Sequence, residues 1–153
     1  MEPAVRADTA TVLAFDFGTR RTGVAVGDTL IRIARPLTTI TAEANAPRFA
    51  AIEKLIAEWQ PSVLIVGRPL HADGAPHEMT SLTERFARRL EGRFRLPVAR
   101  VDERFTSVAA DSALTAAGIR GAERKAARDQ VAAQLILQSW FDDPPADEPR
   151  VPA

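Results

Sequence analysis

Two short apolar runs, each closed by a glycine, most constrain what this 153-residue chain can fold into. They are Val12-Leu-Ala-Phe-Asp-Phe17 before Gly18, and Ser62-Val-Leu-Ile-Val66 before Gly67. Runs of this length are too short for a helix, and their lack of polar alternation marks strands covered on both faces. A sheet with such strands needs helices on its two sides. The flanking sequence supplies them. Phe49, Ile52, Leu55, Ile56 and Trp59 recur at helical spacing, with Asn45 placed to cap and Pro47 in the first turn. Met79, Leu82, Phe86 and Leu90 mark a second amphipathic helix.

The remaining segments complete the order. Thr22 to Val26 and Ile33 to Ile40 are extended and close to the first run, as in an antiparallel meander. Leu96 to Val101 is a further strand, closed by Asp102-Glu103. Thr106 or Ser107 can cap a third helix running toward Gly118, and a last helix spans about residues 122 to 141. The reading is β-β-β-α-β-α-β-α-α. With right-handed crossovers, it predicts a ribonuclease H-like α/β fold: a five-stranded mixed sheet of order 3-2-1-4-5, with helices on both faces. The C-terminal ends of strands 1, 4 and 5 then lie side by side, where open α/β sheets carry their sites. Residues 12–141 form the expected domain, between an N-terminal tail (1–11) and an acidic, Pro-rich C-terminal tail (142–153).

Composition removes several chemistries. The chain has no Cys and two His, which excludes thiolate metal sites, disulfides and cysteine nucleophiles. No leader-like apolar run opens it, and no stretch approaches the ~20 apolar residues of a membrane span, so a cytoplasmic protein is expected. What remains is carboxylate, hydroxyl, arginine and backbone. Asp16 is the first anomaly, because a carboxylate in an apolar strand needs a partner or a cation. Alternation puts Leu13, Phe15 and Phe17 on one face and Ala14 and Asp16 on the other. Asp102 and Glu103 end the last strand; one of them shares the face of Asp16, and spacing leaves open which. Asp129 lies beside a helical stripe of Ala126, Ala133, Ile136 and Trp140, where a solvated charge is out of place. An ion pair with Arg104 or Arg128 is the plainer account of Asp129, as pairing with Arg100 or Arg104 is for Asp102. Taken together, three carboxylates converging on one edge suit hard cations, Mg²⁺ or Mn²⁺. A pair of such ions can activate water and stabilise the leaving oxygen in phosphodiester hydrolysis.

Four stretches carry a family resemblance: Asp16-Phe-Gly-Thr-Arg-Arg-Thr-Gly-Val-Ala25, Val66-Gly-Arg-Pro-Leu-His-Ala-Asp-Gly74, Val101-Asp-Glu-Arg-Phe-Thr106 and Arg128-Asp-Gln-Val-Ala-Ala133. In this order the chain resembles the YqgF family of RuvC-like nucleases, over residues 12–141. The resemblance implies that Asp16, Glu103 and Asp129 hold the catalytic metal, which selects Glu103 over Asp102. It also implies an endonuclease trimming the 5′ end of the pre-16S rRNA precursor, in contact with ribosome-assembly intermediates. A Holliday junction resolvase acting on branched DNA, or a nucleic-acid-binding assembly factor without chemistry, are the alternatives. Where RuvC-like enzymes have an acid after strand 4, this chain has Gly67-Arg68-Pro69. Asp-Phe-Gly-Thr also resembles the phosphate loop of actin-like ATPases, but the chain is too short for their two domains.

Arg20, Arg21, Arg68 and Arg104, with Arg100, are the candidate phosphate contacts near this edge. His71 and His77 are read as surface residues. On the second helix Arg85, Arg88, Arg89 and Arg93 are partly offset by Glu84 and Glu91, as on a solvated face or a substrate surface. The whole chain is neutral, with 20 basic and 20 acidic residues. Setting aside Arg6 and Arg150 on one side, and Glu2, Asp8, Asp142, Asp143, Asp147 and Glu148 on the other, leaves 18 basic and 14 acidic residues in the body. The neutrality therefore does not argue against a polyanionic substrate.

Overall fold

Alternating burial along the first strand divides the molecule. In the computed structural model, which describes residues 10–69, 78–103, 115–118 and 122–142, β1 (Thr11–Asp16) sends Val12 and Ala14 to one face and Leu13 and Phe15 to the other. All four are buried. β2 (Arg21–Asp28) pairs antiparallel with β1, and β3 (Arg35–Thr41) antiparallel with β2, across a bulge at Val24/Ala25. β4 (Val63–Pro69) joins β1 in parallel, and β5 (Val98–Glu103) joins β4 in parallel. The sheet order is β3-β2-β1-β4-β5, as the element pattern predicts.

Helices α1 (Asn45–Trp59) and α2 (Thr80–Phe94) cover the Leu13/Phe15 face, through Phe49, Ile52, Phe86 and Leu90. Helix α3 (Ala122–Asp142) covers the Val12/Ala14 face, through Ala133, Ile136, Leu137 and Trp140. These two clusters are the core. Each buried Leu, Ile or Phe contributes about 1.5–3 kcal/mol of transfer free energy. No described helix is long and apolar enough to cross a membrane.

Several local expectations are corrected. Asn45 does not cap α1. Ala44 occupies that position, and the Asn45 side-chain oxygen accepts a hydrogen bond from Arg48 Nη1 at 2.8 Å. Gly67 does not end β4, which continues to Pro69, and β5 runs through Asp102 and Glu103 instead of stopping before them. The third extended segment starts at Arg35, leaving Ile33 60% exposed in the loop. At the domain edges, Ala10 is already buried and exchanges hydrogen bonds with Thr29, and α3 reaches Asp142. Of the helix predicted toward Gly118, only residues 115–117 are described, followed by Gly118 at φ 75°. Arg104, Thr106, Ser107, His71 and His77 lie outside the described residues, as do residues 1–9 and 143–153.

Candidate active site

Asp16 is the last residue of β1, opposite Gly23 of β2. A Cβ on Gly23 would run into the Asp129 backbone, its carbonyl first. That missing side chain lets α3 lie directly on the sheet and brings the Asp129 carboxylate to Asp16. On the other side of β1, Gly67 leaves the same kind of space. A Cβ there would meet Ile136 Cδ1 and Glu103 Oε2. Two strand glycines thus admit the two outlying carboxylates to the end of β1.

Alternation along β5 settles which neighbouring acid joins them. Ala99 and Val101 belong to the α3-side core, so Glu103 points to that face and Asp102 to the other. Asp102 instead accepts from Arg68, at 2.6 Å from Nη2 and 2.8 Å from Nε.

Asp16 stands electrostatically between the other two carboxylates. Burial, and then repulsion from Asp129, raise the Asp16 pKa from 3.8 to about 7, with Arg128 pulling in the opposite direction. Burial and the charge of Asp16 raise the Glu103 pKa from 4.5 to about 8. Glu103 Oε2 is buried and has no hydrogen-bond partner among the described residues. Asp129 is held differently, because Arg21 Nε donates to its Oδ2 at 2.7 Å. Asp129 is thus ion-paired, and the partner is Arg21; Arg104 lies outside the described residues. Among the described residues no three acidic or imidazole groups stand as a ready-made metal shell. The donor chemistry nonetheless fits a hard cation: buried, mutually repelling carboxylate oxygens, one of them without a partner.

A cleft of about 460 Å³ opens over Asp16 and Asp129, lined also by Gly18, Arg20, Arg21 and Arg128 among others, with Glu103 outside its lining. Its rim loop is clamped from below by Arg48, which the sequence reading passed over. Arg48 is 3% exposed, and its Nη2 donates to the Thr19 carbonyl at 2.8 Å and the Ala42 carbonyl at 2.9 Å. Its guanidinium also lies 5.1 Å from the Phe17 ring centroid. The available signal was an arginine one position before Phe49 and four before Ile52, on the apolar side of a helix.

The family model described as "RuvX: Holliday junction resolvase" matches residues 10–143, spanning all these elements. The chain belongs to the RuvX family. This is the family reached through the YqgF motifs. The RuvX-family chain is 58% identical over 134 residues to a protein of Dechloromonas aromatica named "Putative pre-16S rRNA nuclease", covering 88% of this chain and 92% of that one. A protein of Nitrosomonas europaea with the same name is 54% identical over 142 residues, 93% of this chain and 96% of its own. Among solved structures, Thermus thermophilus RuvC in complex with a Holliday junction substrate aligns with TM-score 0.51 at 14% identity, covering 87% and 94% of the two chains. That likeness shows the ribonuclease H-like fold.

The predicted arginines divide. Arg21 and Arg20 line the cleft, Arg20 standing 3.4 Å from Glu43 with both side chains exposed. Arg68 does not line it; paired to Asp102, it stands on the opposite face of the sheet from Glu103. Arg100 is likewise corrected. It turns toward α2, where Glu84 accepts from Nη2 and Glu91 from Nη1, each at 2.8 Å. Both misplacements have one cause: residues of even number on β4 and β5 face the α1/α2 side of the sheet, not the carboxylates.

Proposed function

We propose that this chain is a metal-dependent endonuclease that hydrolyses phosphodiester bonds in maturing the 5′ end of pre-16S rRNA. The observation that carries the reading is the convergence of Asp16, Glu103 and Asp129, from three separate elements, on one edge beneath an arginine-rimmed cleft. The names of the D. aromatica and N. europaea relatives support the substrate. Asp16 and Glu103 would hold Mg²⁺ or Mn²⁺, with two ions as the fuller complement, and Asp129 would join them on release from Arg21. Such ions supply an activated water and stabilise the leaving oxygen. Arg20 and Arg21 orient the substrate phosphates, and Arg48 keeps the loop bearing them in register with the carboxylates. A cytoplasmic site of action, on ribosome-assembly intermediates, accompanies this reading.

Incubation of the protein with a pre-16S rRNA 5′ fragment and Mg²⁺ or Mn²⁺ is expected to give a defined cut. Chelator and Asp16→Asn should each abolish it. Binding without cleavage under every metal condition would leave only the assembly-factor reading. The family description favours a second substrate, a Holliday junction. Four-way DNA is run alongside, and preferential, symmetric cleavage of the junction would replace the RNA assignment.

A further inference from the structure

Arginines on the outer face of α2 are unbalanced in a way that counting charges conceals. In sequence, Glu84 and Glu91 offset them. In the fold these two glutamates turn inward onto Arg100, which donates to both and also to the Val98 carbonyl at 2.8 Å. Arg88 shares Glu84 only at 3.4 Å, and Arg93 reaches Glu53 only at 3.4 Å. Arg85 and Arg89, one turn apart and exposed, have no partner among the described residues.

Arg89 and Arg93 line a groove of about 430 Å³ between α2 and the first turn of α1, whose other walls include Asn45, Phe49 and Gly92. Gly92 is the telling residue. Glycine within a helix is destabilising, and no part of the fold requires it here, because a Cβ would meet nothing within 4 Å. A side chain at 92 would instead enter the groove. Ring contacts connect the groove wall to the carboxylate cleft. Phe17, which lines that cleft, stacks on Phe86 at 4.6 Å, and Phe86 lies 5.8 Å from Phe49 in the groove wall. That separation is within the length of a few nucleotides.

We propose that this groove binds the phosphate backbone of the substrate strand beyond the scissile position, with Arg85, Arg89 and Arg93 as the phosphate contacts and Gly92 admitting the strand. The proposal rests on the reading of the substrate as a nucleic-acid polymer. It makes α2 a positioning surface that sets which phosphate reaches Asp16.

The test is fluorescence anisotropy of the full chain, in chelator, with a long pre-16S leader RNA and with a short oligonucleotide that spans the cleft alone. For the long RNA, Arg85→Gln/Arg89→Gln should weaken binding severalfold and make the slope of log K against log salt shallower by about 1.4. Gly92→Leu, which removes no charge, should raise the melting temperature and yet weaken binding of the long RNA. Arg35→Gln, at the opposite end of the sheet, serves as control and should change neither. Binding of the short oligonucleotide should be unaffected throughout. Wild-type affinity and salt slope in both α2 variants would overturn the proposal, as would equal losses for long and short RNA. A parallel cleavage assay keeps the two readings apart. Variants that bind and cut like wild type remove the groove and leave the nuclease; weakened variants of a protein that never cuts do the reverse.

Discussion

The two faces of one sheet edge carry carboxylates in opposite conditions. Toward α2, Glu84 and Glu91 share Arg100 in a network with every bond near 3 Å; burial pushes the Glu84 pKa up, but hydrogen bonds and charge from Arg100 and Arg88 together lower it. The Arg100 pKa is raised, led by its hydrogen bond to Glu91. Toward α3, only Asp129 is paired, to Arg21, while burial together with carboxylate repulsion raises the pKa of Asp16 to about 7 and that of Glu103 to about 8. The first cluster is a satisfied structural joint. The second holds a deficit of positive charge, the condition a cation relieves. Arg100 and Glu103, three residues apart on β5, mark the boundary.

The sharpest way to break this comparison is the same substitution on each face. Glu103→Gln should reduce cleavage on the order of 10³-fold or more, the scale for removing a member of a cooperating set. It should leave stability equal or higher in metal-free solution, because it removes a buried, repelled charge. Glu84→Gln should leave turnover unchanged and cost about 1 kcal/mol, the scale of a partly exposed charge-assisted bond. Cleavage rates and thermal melts of both variants decide it. Loss of folding in Glu103→Gln, with activity kept in the folded fraction, would reverse the assignment.

Gly23→Ala attacks the geometry instead of the charge. Its methyl group is aimed at the Asp129 carbonyl, so α3 must retreat from the sheet. Overpacking of this kind costs about 1–3 kcal/mol. Cleavage should fall further than that stability loss explains, since Asp129 leaves Asp16. Gly92→Leu on α2 provides the contrast, where added bulk meets no protein atom. If Gly23→Ala melts lower but cuts RNA at the wild-type rate, close approach of α3 is not what assembles the site.

What could be read from the sequence follows from which interactions are local. Asp16 was legible because alternation within one strand opposes it to Phe15 and Phe17, and Asp129 because it interrupts a helical stripe. The sheet order followed from element order and crossover handedness. Glu103 and Asp102 could not be separated by spacing, because their faces depend on β5 continuing through both, which is a matter of pairing with Arg68 and Pro69 of β4. Arg100 was misassigned because its partners, nine and 16 residues away, are on another element. Arg48 was missed because its role is to bind carbonyls, that of Thr19 lying 29 residues earlier in the chain, and carbonyls leave no mark in sequence.

A smaller effect, in pH, separates the faces without mutation. Asp16 and Glu103 bind protons more tightly folded than unfolded, so metal-free stability falls as pH rises from about 4 toward about 8. Glu84 has the opposite sign. Its contribution is present above its ordinary value of 4.5 and is lost as pH falls through its lower folded value. Melting temperature should therefore peak in mildly acid solution and decline on both sides. Adding Mg²⁺ or Mn²⁺ should restore the loss at pH 8 and change little at pH 5, because cation and protons compete for the same oxygens. Melts in chelator and in metal at the two pH values read this directly. A metal-free protein whose stability rises steadily from pH 5 to pH 8 would contradict the charge deficit.

The smallest effect is expected at Arg68. Its pair with Asp102 is short, but the two side chains are 41% and 46% exposed, and pairs in water contribute ~0–1 kcal/mol. If Arg68 belongs to the balanced face, Arg68→Gln should change stability by less than about 1 kcal/mol and leave the RNA-binding salt slope unchanged. Arg21→Gln should differ in kind. It frees Asp129 while removing a cleft cation, so RNA affinity falls and the pH-dependent loss of stability deepens. Should Arg68→Gln instead make the salt slope shallower by about 0.7 for a single-stranded RNA, Arg68 would be leaving Asp102 for a phosphate. The sheet edge would then recruit substrate contacts from both faces, and the division between them would lie in the carboxylates alone.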